Sequence, residues 1–350
     1  MIARLRVMVL LTRPAVALLL AVYAAVGIAE AGGTGGAGDA VPLARVLAAV
    51  MGFLLFSVAC NDLADEAVDR VNLPGERRRP LVTGSATRRD LVLIAATAGS
   101  VALAASAAVG WPAVLVMVAG LGLSAAYSLP PARIAHRGVL ASLLLPACYV
   151  AVPYLLGVLA ARPAPVAADL LPLAALYVGF IGRILLKDFR DVRGDAPFGK
   201  RTFLVRHGRG WTCRLSAGCW TAGTVSLLLT AHRPTVALAA ALLGYLAIAL
   251  VLLRLLAGNR HPHRDEALVN GLAITGRATL VVLLTHLTVT AAGWHAGPAA
   301  AVTALLAVLM AGQALSMARR RGPGRTRPVR GTDSVLAGSA QVDTGTSVCL

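Results

Sequence analysis

Apolar residues fall along this chain in long, nearly unbroken runs separated by short polar breaks. The runs lie near residues 14–30, 42–60, 91–109, 112–129, 138–160, 170–186, 213–231, 235–257, 269–292 and 297–317. Crossing the hydrocarbon core of a bilayer takes roughly 20 mostly apolar residues per helix, and these ten runs have that length. The pattern predicts an all-α fold, a polytopic membrane bundle. Residues 1–318 form its transmembrane domain. From 319 to 350 the chain is rich in Gly, Arg, Ser and Thr without apolar periodicity, which predicts a disordered basic tail.

Composition agrees. Apolar residues make up 57% of the chain and charged ones only 14%, with a mean hydropathy of +0.75; a soluble domain carries about a quarter charged residues. The net charge of +17 would suit a nucleic-acid partner, but its distribution argues against one. If the N-terminus starts in the cytoplasm and each run crosses once, 29 of the 33 Lys and Arg residues fall on the cytoplasmic side. Arg45, Arg162 and Arg233 fall on the other side, and Arg277 sits inside a span. That is the positive-inside bias. It predicts a multi-pass protein of the cell membrane with both termini and the main polar loops cytoplasmic, and the bilayer itself, with its anionic headgroups, as the partner of the basic loops. The first run reads as a retained span rather than a removable signal peptide, because Arg13-Pro14 sets a charge at its cytoplasmic edge. Cys60, Cys148, Cys213, Cys219 and Cys349 show no metal-ligand spacing and no prenylation box.

The acidic residues are unevenly placed. Eight of the sixteen lie between positions 62 and 76 or between 188 and 195, each group opening a polar loop (61–90 and 187–212) after an apolar run. On a helix, Asn61, Asp65 and Asp69 form one stripe, and so do Asp188, Asp191 and Asp195. Carboxylates gathered on two helix ends repel one another unless cations hold them. Hard divalent ions such as Mg²⁺ take oxygen ligands and keep waters or phosphate oxygens in their shell. The pattern therefore points to Mg²⁺ and a phosphorylated ligand clamped between two helix ends. Ion pairing of the first cluster with Arg70, Arg77 and Arg78 is the plainer reading, but a second cluster on the same face weakens it, since acids at the membrane edge default to function.

Two motifs carry a resemblance. Asn61-Asp62-x-x-Asp65-x-x-x-Asp69 and Asp188-x-x-Asp191-x-x-x-Asp195 resemble the two signature motifs of the UbiA superfamily of intramembrane prenyltransferases. Arg13-Pro14, the Tyr127-Ser128 step before Pro130, Arg79-Pro80-Leu81-x-x-Gly84 and Gly194-Asp195 followed by Phe198-Gly199-Lys200-Arg201-Thr202 fit the same family. The similarity covers about residues 10–295; the family typically has nine helices, so the fold expected is nine to ten transmembrane helices around a central cavity.

The resemblance implies Mg²⁺-dependent transfer of a prenyl group from a polyprenyl diphosphate, through an allylic cation, to a small-molecule acceptor that is often aromatic. It implies Asn61, Asp62, Asp65, Asp69, Asp188, Asp191 and Asp195 as metal ligands, Asp62 less directly because it lies about 100° around the helix from Asn61. Catalytic roles fall on Asp65, Asp69, Asp191, Asp195 and Tyr127. Arg13, Arg70, Arg133, Arg183 and Lys187 are the candidates for diphosphate oxygens. Arg77, Arg78 and Arg79 read as loop closure and lipid contact. The alternative within the same fold is a terpene cyclase, whose own double bonds trap the cation without an external acceptor. A transporter would hold its acids near the midplane on broken helices, and these lie at helix ends. A soluble prenyl synthase would not carry ten lipid-length runs, and the Asp-Gly-x-x-Ala-Arg pattern of CDP-alcohol phosphatidyltransferases is absent.

Overall fold

A computed structural model describes residues 7–9, 11–32, 40–72, 79–189, 202–230, 234–259 and 261–319. Among these residues the fold is all helix, without strands. The helices are α1 (Pro14–Glu30), α2 (Ala40–Asn72), α3 (Arg88–Ala107), α4 (Trp111–Ser128), α5 (Val139–Ala161), α6 (Ala167–Ile184), α7 (Phe203–Thr230), α8 (Val236–Gly258), α9 (Pro262–Ala291) and α10 (Ala296–Arg319). Each contains or closely overlaps one of the apolar runs. Eight are long and apolar enough to cross a membrane; α1 is a shorter apolar helix, and α7 is more polar, with Arg206, Arg209 and Arg214 in its first half. The chain is a multi-pass membrane protein. Expectations for the tail beyond Arg319 lie outside the described residues.

Local chemistry sets several helix ends. Pro14 opens α1, where its missing N–H costs nothing. Thr87 caps α3 by accepting from Asp90 N at 3.2 Å, while its own N–H donates to Asp90 Oδ2 at 3.1 Å. Thr235 caps α8 through Leu238 N. Pro146 interrupts α5, and a π turn follows at Ala147–Ala151; such turns often mark functional sites.

The helices close into a ring. Neighbours in sequence pack together, α2 also meets α4, and α9 returns against α1. One apolar core joins α1 to α5, a second joins α1, α5, α6, α7, α8 and α9, and α1 and α5 belong to both. By contrast α10 packs mainly against α8 and α9 among the described residues, and just 11% of its apolar window is buried within the protein. It lies at the periphery of the bundle.

One boundary differs from the sequence expectation. Residues 61–72, read as the start of a polar loop, continue α2 for three more turns. The i,i+4 spacing that aligns Asn61, Asp65 and Asp69 also pairs Glu66 with Arg70 at 2.8 Å, and such pairs sustain a helix past its apolar part.

Candidate active site

The extended end of α2 and the end of α6 face one another across a cavity of about 510 Å³. Asn61, Asp65 and Asp69 reach it from α2, Lys187 and Asp188 from the turn after α6, Tyr127 and Ser124 from α4, and Arg13 from the entry to α1. Asp188 of the second motif, over a hundred residues from the first in sequence, thus lines the same cavity as Asn61, Asp65 and Asp69. Beneath them the lining becomes apolar: Leu145, Cys148 and Tyr149 of α5, Phe180 of α6, and Leu272 and Ala273 of α9. Tyr149 stacks on Phe180 with ring centroids 5.7 Å apart. The prolyl break in α5 falls at this level and turns Cys148 and Tyr149 inward. Besides α2, α4, α5 and α6, the helices α1 and α9 contribute walls to the cavity.

Charges in the site are matched locally. Asp62, only 2% exposed, is paired with Arg13 at 2.8 Å and with Arg79. Arg79 also reaches Asp69 at 3.1 Å. A buried carboxylate needs such partners to remain ionised. Asn61 donates to Asp65 Oδ2 at 2.9 Å, and Arg133 stands 3.7 Å from the other carboxylate oxygen. Arg133 also donates to the carbonyl of Ala64 at 2.9 Å, pinning the loop before α5 to α2. Lys187 donates to the Tyr127 hydroxyl at 2.9 Å.

Most expected site residues therefore meet. Asn61, Asp65, Asp69, Asp188, Tyr127, Arg13, Arg183 and Lys187 line the cavity. Asp62 supports it from behind through Arg13 and Arg79. Arg70 points away, more than half exposed and paired with Glu66. Asp191 and Asp195 lie outside the described residues, as do Arg77 and Arg78. Arg79 differs from its reading as a lipid-facing loop residue: it is mostly buried, lines the cavity and bridges two acids of the first motif. Its only sequence signal was the Arg79-Pro80-Leu81-x-x-Gly84 string. A further support was not read from sequence at all. Arg209 grips the buried Asp265 through two hydrogen bonds of 2.8 and 2.6 Å and lies 4.9 Å over the ring of Phe189, the neighbour of Asp188. Those hydrogen bonds from Arg209 to Asp265 raise the arginine pKa above its usual value.

The donor set suits Mg²⁺. Carboxylate and amide oxygens are hard ligands, and Asn61, Asp65, Asp69 and Asp188 present them to one space. Among the described residues no three acids draw together into a closed cage, but Mg²⁺ is seldom held by protein alone and keeps water or phosphate oxygens.

Residues 18–269 match the model of the UbiA prenyltransferase family, and the chain belongs to that family. It is 27% identical over 191 residues to the bacteriochlorophyll synthase 34 kDa chain of Chloroflexus aurantiacus, a match that covers 53% of this chain and 60% of that relative. Among solved structures, a UbiA homolog from Archaeoglobus fulgidus bound to GPP and Mg²⁺ superposes with a TM-score of 0.57 at 16% identity, covering 89% of this chain and 99% of the other. A digeranylgeranylglyceryl phosphate synthase gives 0.63 at 15% identity, with 81% and 99% covered. At these identities the structural likeness concerns the fold.

Proposed function

We propose that this protein transfers a prenyl group from a polyprenyl diphosphate to a small-molecule acceptor within the membrane. The observation that carries the reading is a single cavity with acids of both motifs and cations at its polar end and an apolar, aromatic floor. Asn61, Asp65, Asp69 and Asp188 would hold Mg²⁺, with Asp191 and Asp195 completing the second motif. Bound there, Mg²⁺ would supply positive charge to the diphosphate oxygens.

The chain's own groups account for the rest. The C–O bond of the donor breaks with its electron pair leaving on diphosphate, and Lys187, Arg13 and Arg79 surround the oxygens that gain charge. Preplaced donors favour that state over the ground state because they need no reorganisation. Arg133, fixed to Ala64 and near Asp65, sits at the rim where the diphosphate would arrive; Arg70 faces elsewhere. The prenyl tail lies among Leu145, Tyr149 and Phe180, each buried CH₂ contributing roughly 0.8 kcal/mol. Aromatic faces and the Tyr127 oxygen stabilise the allylic carbon as it turns cationic. The acceptor attacks that carbon, and its proton passes to a carboxylate or water. Arg183 is set deeper than the acids.

Purified protein incubated with labelled geranyl, farnesyl and geranylgeranyl diphosphates and Mg²⁺ tests the reading. Diphosphate release that yields prenylated product only with a phenolic or other acceptor is expected. Labelled hydrocarbon or terpene alcohol formed without acceptor would favour the cyclase instead, and no turnover of any donor would sink both.

The acids belong on the cytoplasmic face, where soluble diphosphates are made. Reporter fusions after residues 85 and 205 should read as cytoplasmic and those after 35 and 165 as external. An external signal from 85 would overturn this orientation.

A further inference from the structure

Asp188 lines the main cavity, and Phe189, next in the chain, packs elsewhere. Its ring lies against a core of α7, α8 and α9 that includes Cys213, Leu252 and Leu268. The guanidinium of Arg209 sits 4.9 Å from the centroid of that ring, a favourable arrangement of cation and aromatic face.

Arg209 is itself held from several sides. Its Nη1 donates to the Leu256 carbonyl in the last turn of α8 and to Asp265 Oδ1, both at 2.8 Å, and its Nη2 donates to Asp265 Oδ2 at 2.6 Å. Asn259, just past α8, donates to Asp265 Oδ1 at 2.7 Å. Asp265 is buried and stands in the first turn of α9, where a carboxylate suits the helix dipole. Local preference does not explain an arginine at position 209. Gly208 breaks α7 with a φ of 76°, a conformation that glycine adopts readily, and the helix resumes at Arg209. A cation in a first turn opposes the dipole of its own helix, so this one gains from its distant partners. One guanidinium thus ties α7, the end of α8 and the start of α9 to the ring beside Asp188.

The consequence falls on Asp188. Successive residues on a helix point about 100° apart, so a ring seated against Arg209 fixes the direction of the carboxylate next to it. Mg²⁺ demands near-ideal octahedral geometry, and groups that orient a metal's ligands typically carry roughly 10–100-fold in affinity. We infer that Arg209 and Phe189 are positioning residues. The clasp on Asp265 holds the guanidinium, the guanidinium holds the ring, and the ring aims Asp188 at the metal. This rests on the prenyl-transfer reading for the metal that Asp188 would bind.

The test measures Mn²⁺ binding to the full chain in detergent, through loss of the free ion's EPR signal, with melting temperature alongside. Phe189→Leu should weaken Mn²⁺ binding about tenfold, while Phe189→Tyr, which keeps the ring, should stay within about twofold of the parent. Arg209→Lys loses the planar fork and should weaken binding about tenfold while also lowering the melting temperature. The double variant separates the routes. With the ring gone Arg209 has nothing to aim, so Arg209→Lys combined with Phe189→Leu should bind within about twofold of the weaker single variant. A brace that only joins helices would lower the melting temperature of Arg209→Lys and leave Mn²⁺ affinity unmoved, and that result would overturn the inference. So would losses that multiply in the double variant, or a parent without saturable Mn²⁺ binding. Geranyl diphosphate turnover in the same preparations judges the prenyl-transfer reading separately: turnover with Mn²⁺ affinities unmoved rejects the brace alone, and the expected Mn²⁺ pattern without turnover rejects that reading alone.

Discussion

Asp65→Ala is expected to lower prenyl diphosphate turnover by about 10²–10³-fold, the range seen when one preorganised stabilising group is removed from a developing charge. Asp65 faces the cavity, accepts from Asn61 at 2.9 Å and stands 3.7 Å from Arg133. The change removes the carboxylate proposed to hold Mg²⁺ and leaves Arg133 without the counter-charge 3.7 Å away. The next residue supplies the control. Glu66 turns outward and pairs with Arg70 and Arg88, both more than half exposed. Exposed pairs of this kind contribute about 0–1 kcal/mol, so Glu66→Ala should change turnover less than about threefold. Diphosphate release with saturating Mg²⁺, on protein that elutes as one peak, measures both. Comparable losses in the two variants would mean that the stripe is a charge patch without a defined inner face.

That contrast shows what the sequence carries. The all-helical membrane bundle was legible because lipid demands long apolar runs that satisfy their own backbone, and an i,i+4 stripe of acids can be read without coordinates. The acid stripe was read on a helix end, and α2 does carry it, but the apolar run stops at residue 60 and gave no sign that the helix runs on to Asn72. Arg79 was missed because charge beside a membrane is explained by topology alone, and its bond to Asp62 spans 17 residues of chain. The walls from α1 and α9 were hidden for a related reason. A helix that is apolar all round shows no preferred face, so hydropathy cannot say which side lines a cavity and which meets lipid. Arg183 was legible as a cation at a span edge, but its place over the Phe180 ring is a three-dimensional fact.

The largest stability effect should come from the crossing of α1 and α5. A Cβ on Gly157 would stand 2.1 Å from the Ala24 carbonyl oxygen, and one on Gly27 would stand 2.1 Å from that of Tyr154. The two backbones thus touch directly, as small residues permit within membranes, and neither carbonyl can move aside without leaving its own helix. Gly157→Ala should cost about 1–3 kcal/mol as overpacking, and Gly157→Leu should fail to give a monodisperse protein. Gly122→Ala, where nothing lies within 4 Å of the added carbon, should melt within a few degrees of wild type. The effect should extend to function, because α1 brings Val16 and Leu19 to the cavity and Tyr23 to Arg183, and Arg13 enters at its head. Pushing α1 outward by the width of a methyl group would loosen that wall as a unit. Melting temperature and donor turnover should therefore fall together in Gly157→Ala, whereas Asp65→Ala loses turnover alone. If Gly157→Ala melted lower yet turned over its donor at the full rate, the residues on α1 would be bystanders, and the cavity would be built by the remaining helices.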